Sequence, residues 1–349
     1  MVIMLNSQSN SKLNRISMLI ILIIIGSFVF NSQEVKADGM NFTVNALLPE
    51  NQMSEATYFD LLVIPKQEQD IQIELENSTD QFIDIEVTPR NAYTNDNGVI
   101  SYDKDNIKLS NDAPLKFSDL VSGKQTVKLK PFEKTIASFN LKIPDIKYKG
   151  YVLGAFSIKE KEEHTGENKG QSVSISNKFS YTLGVKLSEE RQNVVPQLSF
   201  TSVSPEIYLN KPSIVNTILN NTPAIAKNLD FDINIYKNNK IFYHTEEKGK
   251  SMAPYSYYNI HTSTQNKELK PGKYMVDMKV KGEGISFKTV KYFIVEKEQA
   301  KVINKKAIGL DKKPFNLLYI VVIIMILCIL LVILFVLFIR KNKISKSKK

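Results

Sequence analysis

Residues 70–87 read DIQIELENSTDQFIDIEV, and the rhythm of this stretch decides the fold class. Ile71, Ile73 and Leu75 alternate with Gln72, Glu74 and Glu76, and Ile83, Ile85 and Val87 alternate with Asp84 and Glu86. Successive side chains of a strand point to opposite faces, so each run is a strand with one apolar and one wet face. The same alternation recurs at Ala137, Phe139, Leu141 and Ile143, at Leu229, Phe231, Ile233 and Ile235, and at Tyr274, Val276, Met278 and Val280. Asn97-Gly98, Ser122-Gly123 and Pro271-Gly272 punctuate the runs as turns. Between the two hydrophobic ends, no window of about 12 residues carries a helical stripe. Two half-apolar sheets bury their faces on each other, so the expected fold is all-β, with two tandem immunoglobulin-like β-sandwiches. A boundary falls near Arg191–Pro196, giving a first sandwich over 38–193 and a second over 196–298. Residues 299–316 are Lys-rich and read as a stalk, and 161–172 (KEEHTGENKGQS) as an exposed hairpin loop.

The two ends read as targeting segments. Lys12 and Arg15 precede an apolar stretch from Met18 to Phe30 that Gly26 and Ser27 interrupt, and Val35-Lys36-Ala37 follows. This predicts a signal peptide over 1–37, cut between Ala37 and Asp38. At the other end, 317–339 is 23 residues without a charge, followed by six cations in 340–349. At about 1.5 Å per residue this reaches roughly 34 Å, so one C-terminal transmembrane helix with a cytoplasmic basic tail is expected. The segment before it, Ile308-Gly-Leu-Asp-Lys-Lys-Pro314-Phe, has no L-P-x-T-G-like motif, so retention by the membrane rather than a covalent wall link is expected. The predicted localisation is therefore a single-pass cell-membrane protein with its N-terminal ectodomain outside.

The net charge of +10 resides mostly in these ends, since 1–37 carries +2 and 340–349 carries +6. The +2 that remains is no basis for a nucleic-acid partner. Cys328, the single cysteine, lies in the apolar C-terminal stretch, so the exported part has no disulfide, which suits a bacterial surface better than a small secreted eukaryotic domain.

Chemistry-bearing motifs are sparse. His164, His244 and His261 are not at metal-ligand spacing, and Asp96, Asp103 and Asp105 match no EF-hand loop, reading instead as a solvated hairpin around Asn97-Gly98. No nucleophile elbow, phosphate loop or H-E-x-x-H occurs, so neither enzyme activity nor a cofactor is expected. Tyr58-Phe59 and Tyr255-Ser-Tyr257-Tyr258 offer stacking surfaces for sugars or a protein partner, or alternatively pack within the sandwiches.

Phe42-Thr-Val44, Pro49-Glu-Asn51-Gln52, Tyr58-Phe59-Asp60-Leu61, Pro65-Lys-Gln67-Glu-Gln69, Ile143-Pro144 and Lys149-Gly150-Tyr151-Val152-Leu153-Gly154 stand in an order that resembles the first module of the WxL-interacting surface proteins of Gram-positive bacteria. Pro196-Gln-Leu198, Asn221-Thr-Pro223, Met252-Ala-Pro254-Tyr-Ser256 and Leu269-Lys-Pro271-Gly272-Lys-Tyr274 resemble their second module. Where such proteins carry a tryptophan near the last strand, this chain has Phe287, and it contains no Trp. The resemblance implies a surface adhesin or scaffold. Its first module would bind peptidoglycan, its second host matrix proteins, and WxL-domain surface proteins would be partners. Asn51, Gln52, Tyr58 and Asp60 are then candidate contacts for muropeptides, with Tyr255, Tyr257 and Tyr258 in the second module; otherwise Tyr58–Leu61 simply begins a core strand. Alternative functions are a membrane-anchored assembly chaperone and a wall-modifying enzyme.

Overall fold

A computed structural model of the chain describes residues 40–161, 179–190, 194–311 and 321–334. The expected signal peptide and its cleavage site at Ala37–Asp38, the loop after 161 with His164, and the basic tail lie outside these residues.

The first module is a sandwich of unequal sheets. β1 (Phe42–Leu47), β3 (Glu68–Asn77) and β8 (Lys134–Lys142) form one, in the order β1-β3-β8. β2 (Phe59–Leu62), β10 (Ser180–Ser188), β9 (Val152–Glu160), β4 (Ile83–Asn91) and β7 (Gln125–Leu129) form the other, in the order β2-β10-β9-β4-β7. β2 runs parallel to β10 and the remaining pairs are antiparallel. The chain thus enters one sheet with β1 and crosses to the other with β2, so its first strands clasp both layers. The alternation read at 70–87 sets the inner face: Ile71, Ile73, Leu75, Ile85 and Val87 are fully buried against Phe139, Leu141 and Phe156. Each such side chain contributes about 1.5–3 kcal/mol by leaving water. A short helix, α1 (Phe117–Leu120), adds Phe117 and Leu120 to this core.

From the first module projects a two-stranded finger, β5 (Tyr93–Thr94) and β6 (Ile100–Ser101), closed by Asn97-Gly98 with Gly98 at φ 68°. A left-handed residue in a tight hairpin favours glycine because a Cβ would crowd the backbone.

The second module has β11 (Leu198–Tyr208), β12 (Lys211–Asn220) and β15 (Tyr257–Ser263) in one sheet, ordered β11-β12-β15. β14 (Lys240–Met252), β13 (Ala226–Lys237), β16 (Gly272–Gly282) and β17 (Ile285–Val295) form the facing sheet, ordered β14-β13-β16-β17. Three strands face four, so this module too is a two-layered sandwich. Leu229, Phe231, Ile233, Ile235, Val276 and Met278 supply its core, and Phe287 packs half-buried at its margin.

The C-terminal segments differ from expectation. The stretch read as a stalk begins inside a helix, α2 (Lys297–Lys306), whose Ala300 and Ile303 are buried in the second core. The Asn304 side chain bonds both the N–H and the C=O of Leu269 at 2.9 Å, and Ile308 and Asp311 donate to Asn210 and Asn266. The transmembrane helix expected over 317–339 is corrected. Among the described residues no helix is long and apolar enough to cross a membrane. The described residues 321–334 there are helical and form α3.

Candidate functional site

Two surfaces collect the residues that the sequence singled out. The first is the loop between β1 and β2. Asn51 donates from Nδ2 to the carbonyl of Leu62 at 2.7 Å, and Gln52 donates from Nε2 to the carbonyls of Tyr58 and Ser54 while its Oε1 accepts from the Asp60 N–H at 2.9 Å. Both amides are spent on folding the loop back onto β2. Asp60 is 5% exposed and pairs with Lys186 at 3.1 Å. The Lys186 ammonium in turn lies 4.8 Å above the Tyr151 ring. Tyr58 is 42% exposed and rests beside Gly184 of β10, where a Cβ would come within 3.7 Å of the Tyr58 side chain. The groups left open to a ligand are therefore two tyrosine rings and a partly exposed ammonium, with Asp60 holding the ammonium in place. Such a set can stack on the apolar face of a sugar and bind a carboxylate.

The second surface is the seam between the modules, built from residues far apart in sequence. The finger tip lies on β14: Ser251 N–H donates to the Gly98 carbonyl at 2.8 Å, and Lys250 Nζ to the Asn97 carbonyl at 2.9 Å. A Cβ on Gly98 would sit 2.8 Å from Lys250 and 2.9 Å from Tyr258. Thr94 Oγ1 accepts from the Ala253 N–H at 3.0 Å and is hydrogen-bonded to Ser256 Oγ at 2.5 Å, all fully or nearly buried. Ser110 donates from its N–H to the Tyr255 carbonyl and from its hydroxyl to Asn221 Oδ1, while Asn221 Nδ2 reaches Asp112. Tyr151 N–H donates to the Pro223 carbonyl at 2.8 Å. Beside it Gly150, at φ 72°, lets the two backbones approach so closely that a Cβ would sit 2.5 Å from that carbonyl. His261 of β15 stacks on Tyr208 at 3.6 Å, with Nδ1 3.1 Å from Glu206 and Nε2 3.9 Å from Asp96 of the finger.

Of the three second-module tyrosines, Tyr255 and Tyr258 lie at the seam. Tyr258 has no exposed surface and packs edge-on against Phe231, and its hydroxyl is pushed well above the ordinary tyrosine range by burial and then by Glu247 and Asp96. Tyr255 occupies the turn before β15 at φ 53°, its phenol raised by burial and by Asp112. Tyr257 is half-buried. The crevice between modules, lined by Tyr148, Tyr151, Pro223, Pro254 and Tyr255, has a volume of about 20 Å³. That holds about one water. The aspartates of the finger base serve structure: Asp105 pairs with Arg90 at 3.0 Å, and Tyr93 donates to Asp103 at 2.7 Å. Among the described residues, no three His, Cys, Asp or Glu side chains are placed to hold a metal.

Known proteins place this pair of modules. No curated protein matches the sequence. Solved structures similar to it include the class 5 fimbriae chaperone CfaA, 13% identical with a TM-score of 0.29 over 73% of this chain and 98% of its own. The E. coli chaperone DraB is 11% identical with a TM-score of 0.26 over 73% of this chain and 98% of its own. The CupB2 chaperone of Pseudomonas aeruginosa is 10% identical with a TM-score of 0.25 over 67% of this chain and 97% of its own. The peptidoglycan binding domain of the WxL Interacting Protein matches residues 42–160, and the host binding domain of the same protein matches 170–305. Together these two matches cover most of the chain, and the protein belongs to the WxL Interacting Protein family.

Proposed function

We propose that the protein is an exported surface scaffold that grips peptidoglycan with its first module and presents its second to host matrix proteins, with WxL-domain surface proteins as further partners. One observation carries this reading: a peptidoglycan binding domain and a host binding domain lie in one chain and are docked through a continuous set of hydrogen bonds. Docking gives the two binding faces a fixed relative orientation, as a scaffold requires.

In the first module the open groups are Tyr58, Tyr151 and Lys186, with Asn51, Gln52 and Asp60 supporting them. Export uses the N-terminal segment, with cleavage between Ala37 and Asp38; N-terminal sequencing that finds residues 1–30 on the mature protein would remove this part. The main test is co-sedimentation of the purified protein with sacculi. It should pellet, and it should carry matrix proteins or a WxL-domain protein into the pellet only when both modules are present. Tyr58→Ala should weaken pelleting without lowering the melting temperature. A folded protein that stays in the supernatant defeats the peptidoglycan assignment.

The assembly-chaperone alternative draws less support. Strand donation needs an open sheet edge. Three of the edge strands are blunted: β11 carries Pro205, β8 is capped by the Ser122 N–H on the Asn140 carbonyl, and β17 turns Lys291 inward to bond Thr201.

A further inference from the structure

The solvent face of the second module's four-stranded sheet divides into two halves. In one half the charges are paired: Lys288 with Asp277 at 3.0 Å and Lys279 with Asp232 at 3.2 Å. The other half is apolar. Ile241 of β14 is the cross-strand partner of Tyr236 of β13, Tyr236 is the partner of Met275 of β16, and Met275 is the partner of Tyr292 of β17. Cross-strand partners share a face, and neighbouring strands lie about 4.8 Å apart. The four side chains therefore form a belt roughly 14 Å long across every strand of the sheet. Tyr292 is 78% exposed and Ile241 57%, and Ile294 and Val290 widen the belt along β17. Half-exposed tyrosine, methionine and isoleucine in one contiguous row is the composition of an interface core.

The surroundings of the belt state what it fits. At its end of the sheet stand Lys240, Lys270, Lys273 and Lys297 against Glu268 and Glu296. Lys237 turns to the other face, where the carbonyls of Lys270 and Pro271 and the Tyr274 hydroxyl hold it and its ammonium lies over the Tyr274 ring, all neutral groups. Burial and the neighbouring Lys270 accordingly lower its proton affinity. An excess of cations bordering an apolar belt complements an anionic partner that also carries apolar side chains. Docking uses the face and not the edge, because Lys291 projects from β17 into the sandwich, where it bonds the Thr201 carbonyl at 2.9 Å and covers Phe200, a device that blocks pairing of a further strand.

We infer that the Ile241–Tyr236–Met275–Tyr292 belt, with its lysine border, is the surface by which the second module binds an acidic protein segment bearing interspersed apolar residues. This rests on the reading of that module as the host-binding one and specifies where and with what chemistry it binds.

The test uses the full chain and a fluorescein-labelled synthetic peptide of about fifteen residues in which Glu and Asp alternate with Leu and Phe. Controls are the same peptide with Ser at every Leu and Phe, heparin, and phosphatidylcholine vesicles containing phosphatidylglycerol. The acidic-apolar peptide should bind, weaken at least fivefold between 50 and 500 mM salt by screening of the lysines, and lose at least tenfold with the double substitution Tyr292→Ser and Ile294→Ser or with Lys240→Glu and Lys273→Glu. Both pairs are exposed, and unchanged melting temperatures exclude misfolding. No binding, equal binding of the serine peptide, indifference to the substitutions, or tighter binding of heparin or vesicles than of the peptide each overturns the proposal. Immobilised extracellular-matrix protein separates it from the reading beneath. If wild type and the Tyr292→Ser, Ile294→Ser variant bind matrix equally, the host-binding reading stands and the belt is dropped; if wild type binds no matrix protein, that reading fails on its own.

Discussion

The second module meets its surroundings in two ways. Toward the first module it presents small polar side chains and bare backbone, each with a partner: Ser251, Ala253, Ser256, Asn221 and Pro223. On its outer sheet face it presents Tyr292, Ile294 and Ile241, all exposed. A permanent contact within one chain can be polar because its groups never return to water; unpaired donors there would be costly, and the N–H groups of Ser110, Tyr151, Ser251 and Ala253 each find an acceptor across the seam. A surface awaiting another molecule must stay soluble alone, so it keeps its apolar residues in a narrow belt and surrounds them with charge.

Four experiments can break or sharpen this contrast. The largest effect should come from removing the first module. A fragment spanning 196–311 loses the partners of Ser251, Ala253, Tyr255 and Pro223, at about 1 kcal/mol for each hydrogen bond. It should be less stable than the same module in the intact chain by about 3–5 kcal/mol in chemical denaturation. An unchanged midpoint would mean that the seam holds nothing. Next, Gly150→Ala forces a left-handed alanine and a Cβ 2.5 Å from the Pro223 carbonyl. A cost of about 2–3 kcal/mol is expected, together with an increased radius of gyration in small-angle scattering as the seam opens. Thr94→Val keeps the shape but removes the acceptor of the Ala253 N–H and the partner of Ser256, both buried. Its effect should be about 1–3 kcal/mol, and the matched substitution Ser256→Ala in the same protein should add less than its own separate effect. Smallest is Tyr292→Ser on the outer face, which should change stability by no more than about 0.5 kcal/mol. A larger loss would show that the belt is structural.

The alternation at Ile71–Val87 and Leu229–Ile235 was sufficient to read the sandwiches, because period two reports directly which residues face inward. β12 was harder to read, since Asn216 and Asn220 are fully buried in it. Asn216 bonds the carbonyls of Ile214 and Ile260 and the hydroxyl of Thr262, and Asn220 the carbonyls of Ala224 and Ala253; Ile260, Thr262 and Ala253 are partners that only the fold brings near. α2 was hidden because its buried face is only Ala300 and Ile303 in a run of lysines and polar residues. The charge-free stretch at 317–339 suggested a membrane span by composition alone, whereas among the described residues no helix is long and apolar enough to cross a membrane. The same Asn97-Gly98 turn that sequence placed in solvent is docked on β14, and nothing local could say so, for its partner Ser251 lies over 150 residues away. At the candidate peptidoglycan surface the residue types were legible but their duties were not: Asn51 and Gln52 fold the loop, while Lys186 and Tyr151, which complete the set, come from β10 and the strand entry of β9.

Gly98, Pro223 and Tyr255 each accept a backbone hydrogen bond across the seam. Consider a pull exerted between a wall polymer held by one module and a partner held by the other. The two modules cannot part until those three main-chain contacts, and the Thr94–Ser256 contact beside them, give way, so a tug on either module is passed to the other through the seam.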